Sequence, residues 1–151
     1  MPEPVSFDGL PGLVGRELGV SAWFLVDQAR IAGFADATED RQWIHVDPER
    51  CARESPFGAP VAHGFLTLSL LPAMLESAVR IDGMRMGLNY GLNKVRFPAP
   101  LPVDSRVRGR WTLAALEPVA GGVQLTWAVT VEAEGGAKPV CAAEFLVRAY
   151  A

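Results

Sequence analysis

The chain has 151 residues, a length that suits one domain, and we expect residues 1–151 to form it. Half of the residues are hydrophobic and 21% are charged, so the chain can build a sizeable core. The net charge of -3 argues against a nucleic-acid binder, because such proteins usually carry a strongly basic balance. Cys51 and Cys141 lie far apart and form no metal-ligand pattern, which favours two reduced thiols over a disulfide.

Neither a signal peptide nor a membrane span is expected. The first fifteen residues lack a basic start and a continuous apolar core. The most apolar run, from Phe65 to Val79, is interrupted by Pro72 and Glu76. It is also too short to cross a bilayer, which needs about 20 apolar residues. We therefore expect a cytoplasmic protein without membrane insertion.

The first third of the chain predicts an irregular arm, short strands and a helix. Three prolines in residues 1–12 favour irregular structure, and residues 15–25 mix apolar and β-branched positions typical of one or two strands. Residues 26–38 predict a helix whose inward stripe is Val26, Ala29, Ile31, Ala32 and Phe34. Asp47-Pro48 predicts the start of a further short helix, because Asp is a good N-cap and Pro fits the first helical position. Residues 55–60 then predict a loop.

Residues 65–79 predict a helix that is buried all round. Apolar side chains cover almost every face of this run, which distinguishes it from a helix that lies on a surface. Pro72 removes one backbone hydrogen bond and favours a kink.

After residue 84 the apolar period changes to two, which predicts strands. Alternation from Met84 to Leu92 slips in phase before Val95, which indicates a β-bulge near Asn93-Lys94. Three further strands are centred on Trp111, Trp127 and Phe145, with glycine pairs at 121–122 and 135–136 as turns. Helices early and hairpin-linked strands late imply an α+β fold with a largely antiparallel sheet. Only a sheet wrapped around the apolar helix would bury that helix on all sides.

Asp40 and His45 are the first candidates for chemistry. A carboxylate can orient an imidazole or deprotonate water, and an imidazole titrates near neutral pH. On one α-helix, five residues correspond to about 140° of rotation, so the two side chains would not converge there. If both serve one site, the chain must leave helical geometry between them. Asp36, Glu39 and Asp47 lie nearby and are ordinary surface carboxylates on the alternative interpretation.

Gly64 stands at the start of the apolar helix, where the first amides have no partner within the helix. A glycine there lets a substrate carbonyl approach closely, and its N–H is suited to stabilise an enolate-like oxygen. The alternative is that Gly64 permits only a tight turn. His63 is a site wall, a cap or a core histidine, with a structural role favoured.

The stripe of Arg106, Arg108 and Arg110 suits either a phosphorylated carrier or, as the favoured interpretation, a solvated strand face. The sequence contains no Gly-rich phosphate loop, no Gly-x-Ser-x-Gly and no His/Cys metal cluster.

The motifs together are similar to a known family. They are Phe34-Ala35-x-x-Thr38-x-Asp40-x-Gln42-Trp43-Ile44-His45-Val46-Asp47-Pro48, then Phe57-Gly58, then Ala62-His63-Gly64-Phe65-Leu66-Thr67-Leu68-Ser69. This pattern resembles the MaoC-like (R)-specific enoyl-CoA hydratases. The segment from Asn89 to Phe97 and the Gln42-Trp43 pair look most like the nodulation protein N-like branch.

The resemblance implies a hot-dog fold, in which an antiparallel sheet wraps around a long central helix, and a homodimer with the two sheets joined side by side. It implies reversible syn hydration of a trans-2-enoyl thioester of CoA or acyl carrier protein, with no metal and no redox cofactor. Carried over, Asp40 and His45 hold and activate the water, and the Gly64 N–H donates a hydrogen bond to the thioester oxygen.

This chain departs from the family pattern at two places. Many members have Asn-Pro where it has Gln42-Trp43, and some have a serine eight residues past the glycine, where it has Pro72. Ser69 or Gln42 then takes the place of that serine, which supports the aspartate in those members. Gln42, His63 and Ser69 join Gly64 as candidate substrate-binding residues. Two alternatives stay open: a thioesterase on the same scaffold, and a non-catalytic module that binds acyl thioesters.

Overall fold

The computed structural model describes residues 2–151, which contain eight strands and five α-helices. The strands are β1 Pro4–Ser6, β2 Glu17–Val20, β3 Phe24–Val26, β4 Arg80–Asp82, β5 Met86–Arg96, β6 Ser105–Val119, β7 Gly122–Ala133 and β8 Cys141–Tyr150. The helices are α1 Gln28–Thr38, α2 Trp43–Val46, α3 Pro48–Glu54, α4 Gly64–Ser69 and α5 Leu71–Ala78. A 3₁₀ helix spans Phe7–Leu13.

The main sheet has the strand order β2-β6-β7-β8-β5, and β3 also pairs with β6. All of its pairings are antiparallel. A separate parallel pair joins β1 to β4, so the expected irregular arm contains a short strand and the 3₁₀ helix; Met1 lies outside the described residues. The predicted α+β class and the turns at both glycine pairs are confirmed.

Alternation of side chains along β6, β7 and β8 builds the core. Trp111, Trp127 and Phe145 face inward, and the two tryptophan rings meet edge to face with centroids 6.2 Å apart. The α4–α5 segment supplies Leu66, Leu71 and Met74 to the same core cluster. An antiparallel sheet packed against this helical segment is the hot-dog architecture, as expected.

The central helix differs from the prediction in two respects. It is divided into α4 and α5 at Leu70, just before Pro72. It is also not buried all round, because Phe65 is 66% exposed at the start of α4, beside the candidate site. On α1 the buried residues are Ile31 and Ala35, whereas Ala29 is exposed, so the predicted stripe was partly wrong. The helix predicted to start at Pro48 is confirmed, with Asp47 as its N-cap.

Strand β5 lies at one edge of the sheet and leaves apolar side chains exposed. Its register shifts between Asn93 and Arg96, which confirms the predicted bulge, and shifts again between Asn89 and Gly91. Met86, Leu88 and Tyr90 are each about half exposed. The alternation therefore predicted a strand correctly, although these side chains do not enter the core.

Charged stripes cover the outer face of β6. Arg106 pairs with Glu134, and Arg108 and Arg110 both pair with Glu132. The stripe is therefore the solvated, ion-paired strand face that the sequence favoured. Both cysteines are free and buried, and burial raises the pKa of the Cys141 thiol to about 11. None of the helices within residues 2–151 has the length and apolar character needed to cross a membrane.

Candidate active site

The candidate site lies where the chain between α1 and α2 meets the start of α4. Helix α1 ends at Thr38, and Glu39 follows in the left-handed region with φ 64°. The next helix, α2, begins at Trp43. The chain thus leaves helical geometry between Asp40 and His45, which is the condition that their spacing required.

The loop that carries Asp40 is anchored at both sides. The Thr38 hydroxyl donates to the Phe34 carbonyl, and the Asp40 N–H lies 3.4 Å from the Thr38 hydroxyl oxygen. The Asp40 carbonyl oxygen lies 2.9 Å from Nε2 of His63. The backbone of Asp40 is therefore held, while its side chain is exposed.

His45 is buried and its ring is fixed by the backbone. It is 7% exposed, and its Nδ1 lies 2.6 Å from the carbonyl oxygen of Val61. Gln28 donates from Nε2 to the carbonyl of His45 itself. The segment from Val61 onward is held in turn, because the Val61 N–H donates to the Ile44 carbonyl.

His63 is also buried, at 3% exposure, and it packs flat on His45. The two ring centroids are 3.7 Å apart and the planes differ by 20°. The ring of Phe34 meets His63 edge-on at 4.9 Å. Although His63 is the N-cap residue of α4, its side chain makes no capping hydrogen bond.

Hydrogen-bond partners assign the tautomer of each neutral ring. A backbone carbonyl can only accept, so the ring nitrogen that faces it must carry the hydrogen. His45 therefore carries its hydrogen on Nδ1, and its Nε2 has the free lone pair. His63 carries its hydrogen on Nε2, and its Nδ1 is buried with no partner among residues 2–151.

The three side chains are close enough to act together. One carboxylate oxygen of Asp40 and one ring nitrogen of each histidine lie within 4.8 Å of one another. Two histidines and a carboxylate are also a familiar zinc ligand set. A metal ion must lie near the plane of each imidazole that ligates it, and the lone pairs of two nearly parallel stacked rings do not meet at one point. The stacked arrangement therefore suits acid–base chemistry better than shared coordination.

The pKa of His45 is lowered below its ordinary value, chiefly by burial. The hydrogen bond to the Val61 carbonyl opposes this by raising the pKa. His63 lowers it further, and the Asp40 charge raises it. The net direction keeps His45 unprotonated, with a basic Nε2, at neutral pH.

Gly64 begins α4 and lines a cleft of about 290 Å³ together with His45. The N–H groups of Leu66 and Thr67 reach back to the His63 carbonyl, whereas the Gly64 N–H has no partner among residues 2–151. A Cβ at position 64 would lie 3.0 Å from ring atoms of Phe97, so the glycine allows this aromatic ring to pack over the helix start. Apart from His45 and Thr67, side chains lining the cleft are apolar.

Gln42 and Ser69 are placed differently from the other candidates. Gln42 is exposed, and its carbonyl accepts the His45 N–H. Ser69 is exposed and donates to the Phe65 carbonyl within α4. Neither residue lines the cleft.

Several lining residues were not identified from the sequence. They are Ile44, Phe57, Val61, Ala62, Thr67, Phe97, Ala99, Pro100, Leu101 and Val140. Thr67 had one local signal, since it lies three residues after Gly64 on the same helix. Phe97 and Val140 come from distant strand ends, and no local pattern connects them to the site.

A larger groove of about 1270 Å³ runs along the other end of the helical segment. Leu75, Val79, Gly87 and Val147 are among its lining residues, and none of the candidate site residues belongs to it. The small cleft is therefore the one that His45 and Gly64 line, and Asp40 is not among its lining residues.

Comparison with known proteins agrees with this description. A model of the MaoC-like domain matches residues 11–134. The 3-hydroxyacyl-thioester dehydratase Z of Mycobacterium tuberculosis is 51% identical over 140 residues, which are 92% of this chain and 92% of that protein. Nodulation protein N of Rhizobium leguminosarum is 50% identical over 145 residues, covering 94% of this chain and 89% of the relative. A solved (R)-hydratase from A. caviae, involved in PHA biosynthesis, superposes with a TM-score of 0.68 at 25% identity, over 88% of this chain and 96% of that chain.

Fold and site together define a hot-dog protein in which a carboxylate and two stacked histidines lie beside an apolar cleft. The chain belongs to the MaoC-like domain family.

Proposed function

We propose that this protein is an (R)-specific enoyl thioester hydratase, a hydro-lyase that adds water to trans-2-enoyl-CoA and runs reversibly as a 3-hydroxyacyl thioester dehydratase. The observation that carries the proposal is that a ring nitrogen of His45 lies within 4.8 Å of an Asp40 carboxylate oxygen, while His45 and Gly64 line one cleft. The Val61 carbonyl holds Nδ1 of His45, so Nε2 is the nitrogen with a free lone pair. The names of the relatives, a thioester dehydratase and an (R)-hydratase, support the same class of reaction.

His45 is the base in this scheme. Water lies between His45 and Asp40, and His45 Nε2 takes one of its protons as the water oxygen bonds to C3 of the substrate. The electrons of the double bond move toward the thioester oxygen, and the protonated His45 then returns the proton to C2. Because one residue removes and returns the proton, both new bonds form on one face, which is syn addition. General acid–base assistance of this kind is worth about 10²–10⁴ in rate.

Asp40 and Gly64 assist this proton transfer. The Asp40 carboxylate accepts the second hydrogen of the water and stabilises the transient imidazolium through its charge. The Gly64 N–H donates to the thioester oxygen, where negative charge develops in the transition state. Loss of one such donor typically costs about 10²–10³ in rate.

The cleft is the proposed acyl site. Its lining of Val61, Leu101 and Val140 offers apolar contacts to a hydrocarbon chain, while His45 and Gly64 lie where the reacting carbons would be. The carrier, CoA or an acyl carrier protein, would remain outside the cleft.

The deciding experiment is an absorbance assay with trans-2-enoyl-CoAs of increasing chain length, read as the loss of conjugation. We expect turnover of at least one substrate and an (R)-3-hydroxyacyl product by chiral analysis. A thiol reagent added to the same reactions measures free CoA. Release of CoA without hydration would establish the thioesterase alternative, and saturable binding without either reaction would establish the binding module.

We also propose a homodimer joined at the β5 edge. An exposed edge strand with an apolar surface is a site for pairing with another strand. Met86, Leu88 and Tyr90 supply such a surface on β5, which has no neighbour on its outer side within residues 2–151.

A further inference from the structure

His63 touches every part of the proposed acid–base site except the substrate cleft. Its Nε2 lies 2.9 Å from the Asp40 carbonyl oxygen, its face lies 3.7 Å from the His45 ring, and its own peptide leads directly into Gly64. The residue does not line the cleft. It therefore connects the Asp40 backbone, the His45 ring and the start of α4.

Packing alone does not account for a histidine here. His63 is only 3% exposed, and its Nδ1 has no hydrogen-bond partner among residues 2–151. A buried unpaired polar atom costs stability that an apolar ring of similar size would not. The helix cap does not account for it either, because the side chain makes no capping bond. What the histidine adds over an apolar ring is the Nε2–H that holds the backbone of Asp40.

We propose that His63 is a positioning residue. Its Nε2–H holds the loop that carries Asp40, and its flat face fixes the orientation of the His45 ring, which activates the water. The inference rests on the proposed function. It assigns to His63 a role in rate rather than in substrate affinity, because the residue meets the two acid–base groups and not the acyl cleft.

His63 also acts on the titration of His45. The titratable groups whose charges act on His45 are His63 and Asp40, with opposite effects on its pKa. Burial is the main cause that lowers the pKa of His45, and replacing His63 with an uncharged side chain removes only the smaller contribution of the His63 charge. In His63→Phe, whose flat ring keeps His45 covered, the acid limb of the rate profile should then move to higher pH because of the lost charge and not because of lost burial.

The test compares His63→Phe with His63→Gln in crotonyl-CoA hydration. Phe keeps the flat ring against His45 and loses the N–H, whereas Gln keeps an N–H near the position of Nε2. We expect kcat to fall about 10²-fold in the Phe variant, the size of a 1 Å misplacement, and KM to stay within about threefold. The Gln variant should recover at least about tenfold of that loss in kcat. In both variants the acid limb of the rate profile should move to higher pH.

Val131→Ala is the matched control, because Val131 is fully buried on β7 and takes no part in the site. It should lower Tm without changing kcat at a temperature where the protein is folded. Wild-type kcat in His63→Phe, an unmoved acid limb, or a loss of kcat equal to that of Val131→Ala at the same Tm would overturn the proposal.

A second measurement needs no variant. Nitrogen-15 NMR of the wild-type imidazoles should show His63 with its hydrogen on Nε2 and His45 with its hydrogen on Nδ1. A hydrogen on Nδ1 of His63 would remove the bond to Asp40 and overturn the proposal even if the Phe variant does not fold. Failure of the proposed function is separate, since it would appear as a wild-type protein that hydrates no enoyl-CoA.

Discussion

The rings of His45 and His63 stack face to face, 3.7 Å apart, and each donates a hydrogen to a different backbone carbonyl. The Val61 carbonyl holds one ring and the Asp40 carbonyl holds the other. The stacked pair of rings therefore links the loop before α2 to the segment that leads into α4. Small changes in either segment should alter the geometry of the base before they unfold the protein.

Removing either group of the proposed acid–base pair should abolish most of the proposed hydration without loss of fold. We expect Asp40→Asn and His45→Gln each to lower kcat by about 10²–10⁴, the usual contribution of general acid–base catalysis. Asp40 is exposed, so its variant should keep the wild-type Tm. Asp36→Asn is the control, because Asp36 is an exposed carboxylate paired only with Arg41. Near wild-type turnover in either site variant would end the assignment of that residue.

The pH profile should report an unusually acidic His45. In the proposed mechanism His45 acts unprotonated, so kcat/KM should fall as pH drops through its pKa, which burial holds below the ordinary value of about 6.5. Asp40 raises that pKa, so Asp40→Asn should move the acid limb of the residual activity to lower pH. The measurement is kcat/KM against pH at constant ionic strength. An acid limb above the ordinary histidine value would show that another group controls the rate.

Gly64→Ala should test whether the first residue of α4 must lack a side chain. The new Cβ would lie 3.0 Å from the Phe97 ring, which predicts overpacking of about 1–3 kcal/mol and a lower Tm. Activity should fall about 10²-fold, because the methyl group also displaces the thioester oxygen from the N–H.

The double variant with Phe97→Leu separates the two effects. Leucine removes the ring that meets the methyl group, so Tm should recover while activity stays low. If activity recovers together with Tm, the glycine serves only the packing of Phe97.

The exposed surface of β5 should control assembly. Leu88→Arg places a charge in the proposed interface, and we expect a dimer-to-monomer shift in light scattering coupled to size exclusion. Ala29→Arg adds the same charge at an exposed position on α1 and should leave the assembly unchanged. A monomeric wild-type protein, or a Leu88→Arg variant that stays dimeric, would contradict the interface.

The arginine stripe should contribute modestly to stability and nothing to substrate binding. Arg108 pairs with Glu132, and its guanidinium lies over the Trp23 ring at 4.3 Å. Because the pair is about one-third exposed, we expect Arg108→Ala to cost less than about 1 kcal/mol in denaturant unfolding. KM for enoyl-CoA should not change. An increase in KM would show that the stripe meets the carrier.

Local patterns predicted the elements of this protein well. Alternating apolar residues identified β6, β7 and β8, and Asp47-Pro48 located the start of α3. Such features depend on neighbours within a few residues, where backbone geometry and side-chain spacing are nearly independent of the rest of the fold. The spacing of Asp40 and His45 set a condition for a shared site, that the chain leave helical geometry between them, and the structure meets this condition.

Burial was harder to predict than the type of element. The sequence marks Phe65, Met86 and Leu88 as apolar, but it does not say whether another element covers them. Phe65 stands at an open end of the helix and β5 at an open edge of the sheet, so all three are exposed. Whether a side chain is exposed depends on which element packs against it, and that element is usually distant in sequence.

Residue types and local order, which follow from contacts along the chain, are enough to assign the α+β class and to mark Asp40, His45 and Gly64 as a group worth testing. The stack of His63 on His45, the carbonyls that orient both rings, and the Phe97 ring over Gly64 come only from the folded molecule. These contacts join positions at least 16 residues apart in the chain, and whether such groups meet depends on how the sheet and the helices pack.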